Sequence, residues 1–254
     1  MIYILTACHN ADYLDSFLEC VESQTNRAEI LPVIVDASED GVCEGVWVKS
    51  LPAVILSAPN AFWGESLTVL QDYMKKNWEE GDIVCILNID RAFCRDYIRL
   101  GSKYVHDKFL IISHGIDEGG KHVSGGLQAI WKHFHFTFSL FPNICGTNGL
   151  FMYAKDFAEV GELSRWLPHH WQDFYLVHSL VKRGYHIYEP DNLKLTIYTT
   201  STGIHNPKSW KELFDKRCSC NPIYMAIFIV LCCPLKYIPI NLLRCLWWTV
   251  KVWF

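Results

Sequence analysis

The segment from Asp82 to Asp90, DIVCILNID, constrains this chain more than any other. Ile83 to Leu87 are apolar without alternation, which predicts a short strand covered on both faces rather than one with a wet side. Such a strand belongs inside a sheet flanked by helices, and the rest of the sequence agrees. Ile2 to Ala7, Ile30 to Val35, Ala53 to Ser57 and Lys108 to Ser113 read as further strands. Between them, helical spacing appears at Tyr13, Phe17, Leu18 and Val21, in Gly64 to Trp78 through Leu67, Leu70, Tyr73 and Met74, and in Cys94 to Val105. This alternation predicts an α/β fold with a mainly parallel central sheet and helices on both faces. Asn88 and Asp90 then fall at the C-terminal edge of a central strand, where open sheets of this kind bind ligands. A carboxylate there is placed to hold Mg²⁺ or Mn²⁺ against a phosphorylated substrate. As a lone residue, Asp90 reads equally well as a cap on the next element.

The chain has 254 residues, enough for one large domain or one domain with an appendage. A formal net charge of -4 gives no global electrostatic case for nucleic acid. The eleven cysteines are odd in number and sit in apolar runs, which argues for reduced thiols in a cytosolic compartment over a disulfide framework. Cys218, Cys220, Cys232 and Cys233 can be drawn as a zinc site, but their spacing is not a paired CxxC pattern. No signal peptide is expected, because the apolar run Ile2 to Ala7 is short and lacks a basic flank.

Two segments are expected: a catalytic domain over residues 1–207 and a basic, aromatic-rich helical segment over 208–254. From Lys216 to Phe254 the chain carries Lys216, Arg217, Lys236, Arg244 and Lys251 and no acidic residue. Pro222 and Pro234 bound its longest apolar run, leaving too little for the ~20 residues of a spanning helix. Interfacial attachment through amphipathic helices, with Trp at the boundary and Lys and Arg against anionic lipid, fits better. A helical layer packed on the catalytic core or on a second subunit is the alternative.

The turn after the first strand, TACHNADY, has no glycine, so the GxGxxG of a dinucleotide site is missing, and no GxxxxGK[ST] phosphate loop exists. The order of polar residues at strand ends is instead carried by ILTACHN (Ile4 to Asn10), VIVDASEDG (Val33 to Gly41), PNAFWGESL (Pro59 to Leu67) and ILNIDRAF (Ile86 to Phe93). It continues in CGTNGLFMYAKDFAEVG (Cys145 to Gly161) and LPHHWQDFYLVHSLVKRGY (Leu167 to Tyr185). Together these resemble the inverting glycosyltransferases of the GT-A fold known as family 2, including rhamnosyl-, galactosyl- and glucosyltransferases of polysaccharide and O-antigen assembly.

The resemblance implies a set of roles. Thr6, Ala7, His9, Asp36, Asn60, Gly64 and Asn88 would bind the donor nucleotide sugar. Asp36 would contact base or ribose, although alone it reads equally as a turn residue. Asp90 would ligate a divalent cation, Mn²⁺ or Mg²⁺, with His205 as a second ligand from a C-terminal loop. Asp173, at the start of a helix ending in Lys182-Arg183-Gly184, would be the general base; without the resemblance it is an ordinary carboxylate at a helix N-terminus. Thr147, Asn148, His169, His170 and Trp171 would meet the acceptor. Ile89, Gln172 and Ser179 depart from the family's usual residues.

The expected reaction is a single inverting displacement onto a glycan or lipid-linked hydroxyl, on the cytoplasmic face of a membrane that the C-terminal segment contacts. A catalytically silent relative serving as a scaffold and a nucleotidyltransferase are the other classes left open.

Overall fold

The computed structural model describes residues 1–43, 52–198 and 203–251. Its centre is a seven-stranded sheet. In chain order the strands are β1 (Ile2–Cys8), β2 (Ile30–Asp36), β3 (Val54–Ser57), β4 (Ile83–Ile86), β5 (Phe109–Ile112), β6 (Leu150–Tyr153) and β7 (His186–Tyr188). Their spatial order is β7-β5-β6-β4-β1-β2-β3, parallel throughout except for β6, which runs antiparallel to both β4 and β5. The helices are α1 (Leu14–Glu22), α2 (Trp63–Asn77), α3 (Tyr97–Tyr104), α4 (Ala154–Glu159), α5 (Gln172–Val181), α6 (Trp210–Leu213), α7 (Pro222–Cys232) and α8 (Ile238–Lys251).

The buried strands follow from the absence of polar alternation. All seven residues of β1 are buried, with Tyr3, Leu5 and Ala7 facing the core under α2, α4 and α5, and Ile2, Ile4 and Cys8 facing the core under α1 and α3. A period of two on a strand with both faces covered produces this division. The start of α2 is closed by Glu65, whose Oε2 accepts from the Phe62 N–H at 2.8 Å. The expected strand through Asp90 pairs only as far as Ile86; Leu87 still donates to the Leu5 carbonyl, and the chain then leaves the sheet.

Two small sheets cover the C-terminal edge. One orders Arg91–Phe93, Lys194–Ile197, His114–Ile116 and His122–Ser124; the other orders His135–Phe138, Gly126–Ile130 and Ile144–Cys145. Because β6 is antiparallel, the residues that precede it arrive beside the end of β4, where the Gly149 N–H donates to the Ile86 carbonyl at 2.9 Å.

Helices α7 and α8 pack on this second small sheet and on α5. Phe228 and Cys232 join Ala129, Ile144 and Leu167, while Ile229, Cys233 and Cys245 form a smaller core with Trp131 and Phe134 beside it. Asn241 Nδ2 donates to the Trp131 carbonyl at 2.7 Å. The inner face of the C-terminal segment is thus a layer on the core. Its outer face keeps Leu243, Leu246 and Trp247 at 61%, 63% and 69% exposure, one helical stripe. Among the described residues no helix is long and apolar enough to cross a membrane. Val252, Trp253 and Phe254, part of the expected greasy tail, lie outside the described residues.

Gly149 has φ +72, and a Cβ there would strike Tyr97 Oη and Ser113 Oγ, which are bonded to each other at 2.6 Å. Gly149→Ala therefore lowers stability by at least about 2 kcal/mol, read as a reduced urea midpoint.

Candidate active site

A cleft of about 480 Å³ opens where β1 and β4 end. Its floor is Ala7, His9 and Asn10 from the end of β1 and Asn88 to Arg91 from the end of β4. Thr147 and Asn148, Asp173, the pair His169 and His170, and Gly203 with His205 close it, and Val123 and Ser124 form another wall. Of the residues expected from sequence, Ala7, His9, Asn88, Asp90, Thr147, Asn148, His169, His170, Asp173 and His205 line this one space.

Asp173 stands at the N-terminal turn of α5, where Phe174 N–H donates to its Oδ1 at 2.9 Å. Desolvation pushes its pKa from 3.8 up to about 6 against the opposing pull of the Phe174, Thr147 and Asp173 backbone N–H groups. Gly146 keeps the space beside Asp173 Oδ2 clear, since a Cβ there would lie at 3.1 Å. Gln172 and Ser179, two residues singled out from the sequence near Asp173, do not line the cleft. Gln172 is buried, its amide spanning the Ser164 peptide group, and Ser179 Oγ bonds back to the Tyr175 carbonyl at 2.8 Å.

Asp90 is already paired. Its Oδ2 lies 2.7 Å from Arg91 Nη1, and the same guanidinium donates from Nε and Nη2 to Asn148 Oδ1 at 3.3 and 3.1 Å. Arg91 is buried, with a side-chain exposure of 6%; desolvation lowers its pKa and the Asp90 charge opposes that. Sequence reasoning missed Arg91; its signal was an arginine directly after the strand-end acid Asp90. Beside it, Asn88 Oδ1 is buried with no hydrogen-bond partner, an acceptor of the kind that a cation or a donor group satisfies. Ile89 packs into the core under α1 and α3 while also edging the cleft.

Burial disfavours the charged form of His9, His169 and His170. Burial, followed by the neighbouring charges of His170, His9, His205 and Arg217, lowers His169 to about 3, and burial lowers His9 and His170 as well. His170 Nε2 meets the Arg217 carbonyl at 3.0 Å and His205 Nδ1 meets Ser219 Oγ at 3.1 Å, so both are oriented by the segment leading into α7.

Five expected residues lie elsewhere. Thr6 is wholly buried within β1, with its Oγ1 unpartnered. Asp36 is the buried last residue of β2, its oxygens accepting from Ser38 N–H, Ser38 Oγ (2.6 Å) and Cys43 N–H in the turn that follows. Burial raises its pKa, but these hydrogen bonds outweigh it and hold the carboxylate below its ordinary range. Asn60 is a left-handed turn residue at φ 61 whose N–H donates to Ala37. Gly64 permits close packing of α2 on the loop before α5: a Cβ would strike the Leu167 carbonyl. Trp171, at φ 73, turns its ring away into a cluster with Phe134, Phe136 and Phe228, and its Nε1 donates to the Ser219 carbonyl at 3.2 Å.

No family model and no curated protein matches the chain. Solved structures do. GalNAc-T7 with UDP, GalNAc and Mn²⁺ superposes with a TM-score of 0.61 at 10% identity, over 91% of this chain and 47% of that one. TarS of S. aureus gives 0.61 at 12% identity over 96% and 42%, and its 1–349 form gives 0.58 at 13% identity over 96% and 70%. This chain spans less than half the length of the first two. At such identities the likeness is one of fold, and the fold is GT-A, as expected from the sequence.

With a folded-state pKa raised to about 6, Asp173 holds a proton through a window, from pH 4 to 6, in which the unfolded chain has lost it. Its contribution to stability is therefore lost as pH rises through that window. Asp173→Asn removes the burden, so the variant gains in urea midpoint over wild type between pH 4 and pH 7.

Proposed function

We propose that the chain is an inverting glycosyltransferase of family 2 that transfers a sugar from a nucleoside-diphosphate donor to a hydroxyl of a glycan or lipid-linked acceptor in cell-surface polysaccharide assembly. The observation that carries this reading is a desolvated carboxylate, Asp173, facing the same cleft as the Asp90–Arg91 ion pair at the end of β4. GalNAc-T7, of the same fold, was solved with UDP, GalNAc and Mn²⁺, which supports a nucleotide sugar and a divalent cation here.

Asp173 takes the proton of the acceptor hydroxyl as that oxygen bonds to the anomeric carbon, and the bond from that carbon to the diphosphate breaks on the opposite face. Its raised pKa suits it to accept the proton near neutrality. Arg91, fixed by Asp90 and Asn148, presents a positive charge toward the leaving group without reorganising. Mn²⁺ or Mg²⁺ would be held by Asp90, with Asn88 Oδ1 and His205 as further donors, and would supply neutralisation of the developing diphosphate charge. Asp36 serves the donor only if its turn through Ser38 and Cys43 exchanges hydrogen bonds on binding. Acceptor contacts fall to Thr147, Asn148, His169 and His170. Trp171 shapes the loop that carries them.

The ion pair also favours a second reading, in which the cleft binds a nucleotide sugar without turnover, because Arg91 already occupies one oxygen of Asp90. Calorimetric titration with a panel of nucleoside diphosphates, with and without Mn²⁺, followed by transfer assays, separates the two. Mn²⁺-dependent binding of one nucleotide is expected, weakened at least about tenfold in Asp90→Ala. Asp173→Asn should bind that nucleotide as wild type does and lose about 10² to 10⁴ in turnover. The wild-type kcat/KM should rise with pH through about 6. Binding without turnover by wild type would establish the second reading; binding of none would overturn both.

We further propose that the chain rests on the cytoplasmic face of the cell membrane, through the outer stripe of α8 with Lys236, Arg244 and Lys251 nearby. Leu243→Glu with Trp247→Glu should cut partitioning to anionic vesicles at least about tenfold in a sedimentation assay. Unchanged partitioning would remove the membrane from the account.

A further inference from the structure

Outside the cleft, His114, His122 and Glu189 bring ligating atoms within 4.8 Å of one another, the one such group of three among the described residues. They come from three separate segments: the starts of the strands His114–Ile116 and His122–Ser124, and the residue after β7. Glu189 Oε1 lies 2.8 Å from His114 Nδ1 and 3.3 Å from His122 Nε2. Its other oxygen, Oε2, accepts from the Gly126 N–H at 2.7 Å, which fixes the carboxylate with Oε1 toward the imidazoles. The Ser124 carbonyl lies 2.9 Å from His122 Nε2 and supplies a fourth donor.

A second, independent feature marks the place. A Cβ on Gly125 would lie 2.5 and 2.6 Å from the Glu189 oxygens and 2.7 Å from His122 Nε2, so the space between the donors stays open only while residue 125 has no side chain. The group is sheltered but reachable, with side-chain exposures of 29%, 31% and 17% for His114, His122 and Glu189.

We propose that these residues bind a zinc-class cation, separate from any cation in the cleft. Two imidazoles with one carboxylate and a carbonyl form a four-donor set that suits zinc and disfavours Mg²⁺, which seeks six oxygens. Metal–ligand bonds of about 2.0–2.2 Å in a tetrahedron put donors about 3.4 Å apart. The His122–Glu189 pair is already at 3.3 Å, and the shorter contacts, at 2.8 and 2.9 Å, must open by about half an ångström. The rings, now stacked at 3.9 Å and 12°, must tilt so that both lone pairs meet the ion. Each imidazole also moves its N–H to the nitrogen facing away from the metal. The ion then clamps the hairpin carrying Val123 and Ser124, a wall of the cleft, to the segment after β7. This inference does not rest on the transferase reading.

Full-length protein stripped with a chelator is titrated with Zn²⁺ alone against a chromophoric competitor, then with Mn²⁺ and Mg²⁺. One tight Zn²⁺ is expected, not displaced by millimolar Mn²⁺ and weakened at least about 100-fold by His122→Ala or Glu189→Ala. His169→Ala, in the cleft, should leave it unchanged. X-ray absorption of the wild-type zinc form keeps the test independent of any variant's folding: a shell of nitrogen and oxygen only is expected. Absence of tight zinc, zinc uptake indifferent to His122 and Glu189, or sulfur in the shell from one of the eleven cysteines would overturn the site.

Discussion

The Arg91 clasp is the interaction on which the site's construction depends. A buried guanidinium that touches Asp90 on one side and Asn148 on the other fastens the end of β4 to the turn before β6. Neither polar partner is cheaply placed there alone, because a buried charge without a partner costs several kcal/mol. The antiparallel run of β6 is what permits the meeting: had that strand been parallel to β4, its preceding turn would lie at the opposite edge of the sheet. Chain reversal at this one strand therefore brings Thr147 and Asn148 to the same space as Asn88 and Asp90.

Much of the central sheet was legible because its strands are buried on both faces and are written as uninterrupted apolar runs. Ile2 to Ala7 and Ile30 to Val35 match β1 and β2 to within a residue. The small sheets were not legible, since His114–Ile116 and His122–Ser124 have three residues each and no clear alternation. The orientation of β6 was also hidden, as pairing direction leaves little trace in a four-residue strand buried on both faces.

Half of the residues lining the cleft were named from the sequence, Asn88 and Asp90 by their place at a strand end and the others through a resemblance to a family, and the exceptions are physical. Trp171 was expected beside its neighbours His169 and His170, but a left-handed backbone turns it to the opposite side. Asp36 was expected to reach a ligand, yet a carboxylate next to free N–H groups satisfies them first, and Ser38 and Cys43 are the nearest. Arg91 went unnoticed because an arginine in sequence looks like surface charge until a partner is found 57 residues away.

The loop before α5 is tied at two points to the segment that leads into α7, through His170 to the Arg217 carbonyl and Trp171 to the Ser219 carbonyl. Helices α7 and α8 follow directly, seated on the same aromatic cluster as Trp171. The tail's contacts thus reach Trp171, which directly precedes α5 and stands two residues before Asp173. The C-terminal segment therefore begins with the acceptors that hold the loop before α5, and a truncation that reaches Arg217 or Ser219 removes the partners of His170 and Trp171.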